Sequence, residues 1–71
     1  MGSKKDILAL VGYNIRKQRL AQKMSQNQLA FEAGVTREFV NKVESGRYNI
    51  SVRNLDKLAQ ILEIDIKDFF K

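Results

Sequence analysis

An all-α fold is predicted from three features of this 71-residue chain. Apolar residues recur at intervals of three and four throughout, and no long stretch alternates apolar and polar residues as a strand would. Serine, threonine and aspartate precede the apolar runs, as helix-capping residues do. A glycine at position 34 separates two runs where the chain must reverse within one turn. We therefore expect one compact helical domain over residues 1–71, near the size at which a single core is only marginally stable.

The first helix is predicted over residues 6–22 from a four-residue apolar repeat. The repeat consists of Ile7, Val11 and Ile15, with Leu8 and Leu20 close to the same stripe. Gly12 is expected to weaken the N-terminal half of this helix, because glycine costs about 1 kcal/mol relative to alanine inside a helix.

The second helix is predicted from its capping box. Ser25 and Gln28 have the spacing at which a hydroxyl and a side-chain amide satisfy each other's backbone donors, so the helix begins at Gln26. Gly34 ends it, since a residue with positive φ is needed there. Ala30 is small, as required where two helices joined by a short turn cross closely.

The third helix opens at Thr36 and reaches Glu44 or Ser45 before Gly46 stops it. A polar loop over residues 46–50 follows. Ser51 then caps a fourth helix. Its apolar residues, spaced by three and four, are Val52, Leu55, Leu58, Ala59 and Leu62.

The last element is predicted as a short turn capped by Asp65 and ending at Phe69 and Phe70. Residues 62–70 combine apolar side chains with almost no net charge, so we expect this segment to serve dimerisation. Phe69 is expected in the core. The remaining apolar residues form the expected dimer patch, with core burial of any one as an equal alternative; they are Leu62, Ile64, Ile66 and Phe70.

Composition excludes several classes of function. The chain contains no cysteine, histidine, tryptophan or proline, which rules out a disulfide scaffold, a cysteine-based zinc site and any nucleophile–histidine pair. Without a Gly-rich phosphate loop, an enzyme is a remote alternative. We expect no metal and no cofactor. The sequence shows neither a membrane span nor an apolar signal segment, so a cytoplasmic location without a membrane partner is expected.

Positive charge is concentrated in the first three-quarters of the chain. The net charge is +5, with ten Lys and Arg against four Asp and Glu in residues 1–53, and three against four in residues 54–71. A nucleic-acid surface concentrates cations in this way, because neutralising phosphates releases counterions. A charge of this size is also ordinary for a small soluble domain.

The third helix is expected to present a mixed face of donors and acceptors to solvent. Its core-facing stripe is Val35, Phe39 or Val40, and Val43. On the opposite side, Arg37 suits the edge of guanine and Glu38 the amino group of cytosine. Asn41 suits adenine, and Lys42 reaches a further guanine or a phosphate. The alternative is an ordinary solvated helix face.

The chain resembles the XRE/Cro family of helix-turn-helix regulators from about residue 15 to residue 69. The residues that carry the resemblance are Ile15 to Arg19, Met24 to Gln26, Leu29, Ala30, Ala33 to Thr36, Val40, Val43 to Gly46, Asn49, Ser51, Leu55, Leu58 and Ala59. The resemblance implies a compact five-helix, lambda-repressor-like domain with its helix-turn-helix at about residues 26–45. It also implies a homodimer that binds a palindromic operator in double-stranded DNA, with the third helix in the major groove.

The resemblance also implies roles for individual residues. The base-reading positions are Arg37, Glu38, Asn41 and Lys42, of which Asn41 is the weaker candidate. The expected phosphate contacts are Gln26, Thr36, Arg47, Asn49, Ser51 and Arg19. Arg19 and Glu44 match a partly buried ion pair. Phe39 is bulkier than the small residue usual at its position, so it is expected either in the core or against a thymine methyl group.

A small domain that has only a base-reading helix and a dimer patch is similar to the controller proteins of restriction-modification systems. Phage-type repressors and antitoxins are close alternatives, and an activator would also offer a surface to RNA polymerase. The other class of function is a protein-interaction module whose main partner is a protein. Acidic residues near the apolar end would suit it: Asp56, Glu63, Asp65 and Asp68.

Overall fold

The computed structural model describes residues 4–71 and contains four α-helices: α1 (Lys4–Ala21), α2 (Gln26–Ala33), α3 (Arg37–Glu44) and α4 (Val52–Ile61). A 3₁₀ helix, Ile66–Phe70, follows. No strand occurs within this part of the chain, and none of its helices is long and apolar enough to cross a membrane. The all-α prediction is confirmed, and where five helices were expected the described residues form four α-helices and this 3₁₀ helix. The residues after the Asp65 cap form the tighter i→i+3 turn of a 3₁₀ helix instead of an α-helix.

α1 packs through its middle against α3 and the 3₁₀ helix. Val11 and Ile15 are buried there, as the four-residue repeat predicts. Leu20 does not belong to this stripe and is 52% exposed, because five residues beyond Ile15 correspond to about 140° around a helix. Ile7 is also exposed, near the N-terminal end of the stripe.

Gly12 lies where α1 crosses the end of α3. A Cβ built on Gly12 would stand 2.3 Å from the carbonyl oxygen of Val43 and 2.6 Å from that of Glu44. Because both are backbone atoms, no side chain fits unless the two helices separate. The glycine that sequence analysis treats as a weak point of α1 is therefore required for the approach of α3.

The turn between α2 and α3 has the predicted chemistry. The backbone N–H of Gln28 donates to Ser25 Oγ at 3.0 Å, and the backbone N–H of Ser25 donates to Gln28 Oε1 at 2.8 Å. Gly34 has φ of 71°, and Thr36 Oγ1 accepts a hydrogen bond from the first turn of α3. Ala30 is buried. The capping box, the glycine stop and the Thr36 cap are confirmed.

Phe69 is completely buried and lies in a core to which all four α-helices contribute. The core residues are Val11, Ile15, Leu29, Ala30, Ala33, Val40, Val43, Ile50, Leu55, Leu58, Ala59, Leu62 and Phe69. The core assignment of Phe69 is confirmed. The assignment of Leu62 to an exposed dimer patch is wrong, because Leu62 is 0% exposed and continues the buried stripe of α4 one turn beyond Leu58.

The 3₁₀ helix is held to α1 by a buried asparagine. Asn14 Nδ2 donates to the backbone oxygens of Phe69 at 2.9 Å and of Lys71 at 3.1 Å. At the surface, the Lys71 side chain hydrogen-bonds to the carboxylate of Asp68 and so lowers the pKa of that carboxyl. These contacts leave Phe70 47% exposed, while Ile64 and Ile66 are half-buried against the core.

Candidate nucleic-acid interface

The solvent-facing side of α3 carries the four predicted base-reading residues. Val40 and Val43 are buried on the other side of the helix. Together with Arg47 from the following loop, the four line one shallow surface depression of about 220 Å³. Its lining residues are Arg37, Glu38, Asn41, Lys42 and Arg47. Arg47, expected from sequence at a phosphate, thus lies beside the predicted base readers.

Behind this depression, Arg19 and Glu44 form a buried ion pair. Arg19 Nε lies 2.7 Å from Glu44 Oε2, and Arg19 Nη2 lies 3.0 Å from Glu44 Oε1. The two side chains are only 7% and 3% exposed. The predicted pair is confirmed, and it withdraws the negative charge of Glu44 from the surface.

The predicted phosphate contact of Arg19 is wrong. Besides its two bonds to Glu44, the guanidinium donates from Nη1 to the backbone oxygen of Met24 at 2.7 Å. A buried guanidinium with three donors engaged inside the protein cannot turn toward a phosphate without breaking the ion pair. The guanidinium of Arg19 is therefore bonded to Glu44 and to the backbone of Met24.

Gln26 continues this chain of hydrogen bonds to the first residue of α3. Gln26 Nε2 donates to Glu44 Oε1 at 3.1 Å, and Arg37 Nη1 donates to Gln26 Oε1 at 3.5 Å. The amide of Gln26 is thereby oriented with its oxygen toward Arg37 and retains one N–H for another acceptor. Through Gln26, the predicted base reader Arg37 is thus linked by hydrogen bonds to the buried ion pair of Arg19 and Glu44.

Arg47 is fixed above α3 by two side chains. Its Nε donates to Ser45 Oγ at 2.9 Å, and its Nη2 donates to Asn41 Oδ1 at 3.2 Å. Ser45 Oγ in turn donates to the backbone oxygen of Lys42 at 3.1 Å. Arg47 and Asn41 therefore form one hydrogen-bonded unit within the depression.

The loop that carries Arg47 packs against the rest of the domain on both sides. Gly46 has φ of 75°, and a Cβ there would lie 3.0 Å from Ala9 Cα. The ring of Tyr48 meets that of Phe39 edge to face, with centroids 5.0 Å apart. Phe39 itself is half-buried against the core. It packs against the core without being enclosed by it, so its contact with a thymine methyl group stays a prediction.

The other predicted phosphate contacts lie outside the residues that line the depression. Thr36 and Ser51 are exposed N-caps of α3 and α4, whose hydroxyl oxygens accept backbone N–H groups and keep a hydroxyl hydrogen to donate. Asn49 is exposed in the loop between these helices. Their contacts with phosphate stay predictions.

Comparison with known proteins agrees with this architecture. The family model HTH_3, a helix-turn-helix, matches residues 15–69. Control protein C.BamHI of Bacillus amyloliquefaciens is 36% identical over 64 residues, which cover 89% of this chain and 79% of that protein. The structure of the restriction-modification controller protein C.AhdI from Aeromonas hydrophila superposes with a TM-score of 0.85 at 40% identity, covering 89% of this chain and 96% of the other.

A longer relative matches as well. A hypothetical transcription factor of Neisseria meningitidis is 37% identical over 59 residues, which make up 83% of this chain. The matched segment spans 56% of the Neisseria protein, just over half of its length.

Proposed function

This chain belongs to the HTH_3 family of helix-turn-helix transcriptional regulators, and we propose that it binds an operator in double-stranded DNA with α3 in the major groove. The depression on the exposed face of α3 carries this proposal. Side chains able to read base edges meet there, while the opposite side of the helix is buried in the core. The major groove, about 12 Å wide, admits one α-helix.

The length of the polar face matches a short run of base pairs. Five residues separate Arg37 from Lys42, which corresponds to about 7.5 Å along a helix. Base pairs stack about 3.4 Å apart, so this face reaches across two base-pair steps. Arg37 opens α3, the part of a recognition helix that contacts base edges, and its guanidinium suits a guanine.

The flanking residues are proposed to bind phosphates. Gln26 stands at the start of α2, Thr36 and Ser51 cap α3 and α4, and Asn49 lies between these helices. Helix N-termini attract anions because their first N–H groups lack partners within the helix. The net charge of +5 adds long-range attraction to DNA.

The operator is proposed to be bound by a homodimer formed through the C-terminal segment. Because Leu62 is buried, the proposed dimer patch consists of Ile64, Ile66 and Phe70. Phe70 is held at the surface by the bonds of Asn14 to its neighbours, and exposed apolar groups of this kind mark association sites. A two-fold dimer would place two copies of α3 on the two halves of a palindrome.

Among regulators, a restriction-modification controller protein is the assignment that we favour. The similarity to C.BamHI and C.AhdI supports it, because each alignment covers most of both chains. A phage-type repressor, an antitoxin or another protein-interaction module is the alternative. RNA polymerase is a further proposed partner, should the chain activate transcription.

The test compares Arg37→Ala with Arg16→Ala, which removes a matched exposed arginine from α1. Arg37→Ala should weaken operator binding by about 1–3 kcal/mol and change binding to random duplex little. Arg16→Ala should affect both DNAs slightly and equally. Fluorescence anisotropy at two salt concentrations measures these affinities. Equal losses for Arg37→Ala on both DNAs would make Arg37 a phosphate contact, and a weak, salt-insensitive affinity of the unmodified chain would refute DNA as the main partner.

A further inference from the structure

We infer that Asn41 and Arg47 form a single reading unit that presents only hydrogen-bond donors and selects guanine, with Arg47 deciding the choice of base. The inference rests on the proposed function of α3 as a DNA reader. It changes two assignments made from sequence, because Asn41 was matched with adenine and Arg47 with a phosphate.

The preference of an asparagine depends on where its amide oxygen points. To pair with adenine, Nδ2 donates to the N7 atom while Oδ1 accepts from the N6 amino group. In this structure Asn41 Oδ1 accepts from Arg47 Nη2 at 3.2 Å. Asn41 is therefore left with its two N–H groups to meet a base.

The second lone pair of Asn41 Oδ1 does not restore the adenine pairing. An amino group that approached it would lie beside the guanidinium of Arg47, so that donors would face donors next to a positive charge. A guanine has the opposite pattern, since its major-groove edge presents the N7 and O6 acceptors and no donor. The N–H groups of Asn41 and the remaining N–H groups of Arg47 complement that edge.

Arg47 is held in place for this role by contacts on several sides. Its Nε donates to Ser45 Oγ, which is itself bonded to α3. Tyr48, the next residue, packs edge to face on Phe39 of α3. Gly46, the preceding residue, sits so close to Ala9 of α1 that a side chain would not fit without movement. These contacts fix the path of the loop and the direction of the guanidinium beside Asn41, as the reading of a base edge requires.

The test uses the operator that the unmodified chain selects from a random DNA pool. The position that Asn41 reads is first identified as the one whose base preference is lost in Asn41→Ala, and an Asn41→Ala variant that keeps every preference would overturn the inference. Affinities are then measured for operators with guanine or adenine at that position. Arg47→Lys is the decisive variant. It keeps the positive charge, but lysine lacks the planar guanidinium that donates to Ser45 and Asn41 at the same time. Circular dichroism melting confirms that it is folded.

The unmodified chain should prefer guanine over adenine at this position by about tenfold or more. Arg47→Lys should lose that preference or reverse it toward adenine, while the preference at the position read by Arg37 stays unchanged. An adenine preference in the unmodified chain, or an intact guanine preference in Arg47→Lys, would overturn the inference without affecting the proposed function. If the unmodified chain binds no operator, the proposed function fails and this inference fails with it.

Discussion

Replacing Gly12 by alanine should destabilise the protein, although helix propensity alone predicts the reverse. Alanine is worth about 1 kcal/mol more than glycine inside a helix. Its Cβ, however, would lie 2.3 Å from the backbone oxygen of Val43, where ordinary contacts begin at 3.4 Å. Since no side-chain rotation relieves this clash, α1 and α3 must move apart by about 1 Å, and overpacking of this kind costs about 1–3 kcal/mol or more. If overpacking costs about 3 kcal/mol and the better helix propensity of alanine offsets about 1 kcal/mol of it, the free energy of unfolding falls by about 2 kcal/mol.

Thermal melting followed by circular dichroism measures this loss. In a domain of this size, 1 kcal/mol shifts the melting temperature by about 4–8 °C, so Gly12→Ala should melt about 10 °C lower or more. Gly34→Ala serves as a comparison without a clash, because its added Cβ has no neighbour within 4 Å; the positive φ alone should cost about 1–2 kcal/mol there. Gly12→Ala should also weaken operator binding, because it displaces α3. A melting temperature that rises in Gly12→Ala would refute the close packing of α1 on α3.

Two further substitutions test the ion pair and the dimer. Glu44→Ala leaves the buried Arg19 without its carboxylate and should lower the free energy of unfolding by about 3–5 kcal/mol in chemical denaturation; a loss well below 1 kcal/mol would mean that the pair is screened by solvent. Phe70→Asp should reduce the mass found by sedimentation equilibrium and the operator affinity together, because a charge in an apolar interface opposes association. An unchanged mass would move the interface away from Phe70.

Local features of the fold were predictable from sequence because they depend on near neighbours. The capping box at Ser25 and Gln28 requires only residues three apart, and the stop at Gly34 requires only a residue that tolerates positive φ. The same holds for the Thr36 cap. These features fix the ends of α2 and the start of α3, and with them the residues that α3 can expose.

Features that depend on how helices cross were not predictable in the same way. In the sequence, Gly12 looks like any glycine that weakens a helix. Only the packing of α3 against α1 shows that no side chain fits there. Residues 62–70 hold more apolar side chains than one small core can enclose, so the sequence does not show which of them are buried. Leu62 is buried because it continues the apolar stripe of α4. Asn14 carried no signal, because its partners lie 55 and 57 residues away along the chain.

Four of the five residues that line the depression were predicted to lie together, but the place of Arg47 among them and its bonds were not. The exposed face of α3 follows from the apolar period of that helix, which is why its four polar residues were found together. The position of Arg47 depends on a loop, and a loop path is set by long-range contacts such as the packing of Tyr48 on Phe39. The ion pair of Arg19 with Glu44, 25 residues away in sequence, was expected only from the family resemblance, because no local pattern indicates it.

Selection of bound DNA from a random pool by the unmodified chain tests the central claim most directly. A dimer that places α3 in the major groove should enrich two inverted half-sites whose centres lie about one helical turn, or a multiple of about 34 Å, apart. Guanines should occupy the positions whose enrichment is lost in Arg37→Ala and in Asn41→Ala. A pool that shows no enriched sequence after repeated rounds would contradict the assignment of α3 as a DNA-reading helix.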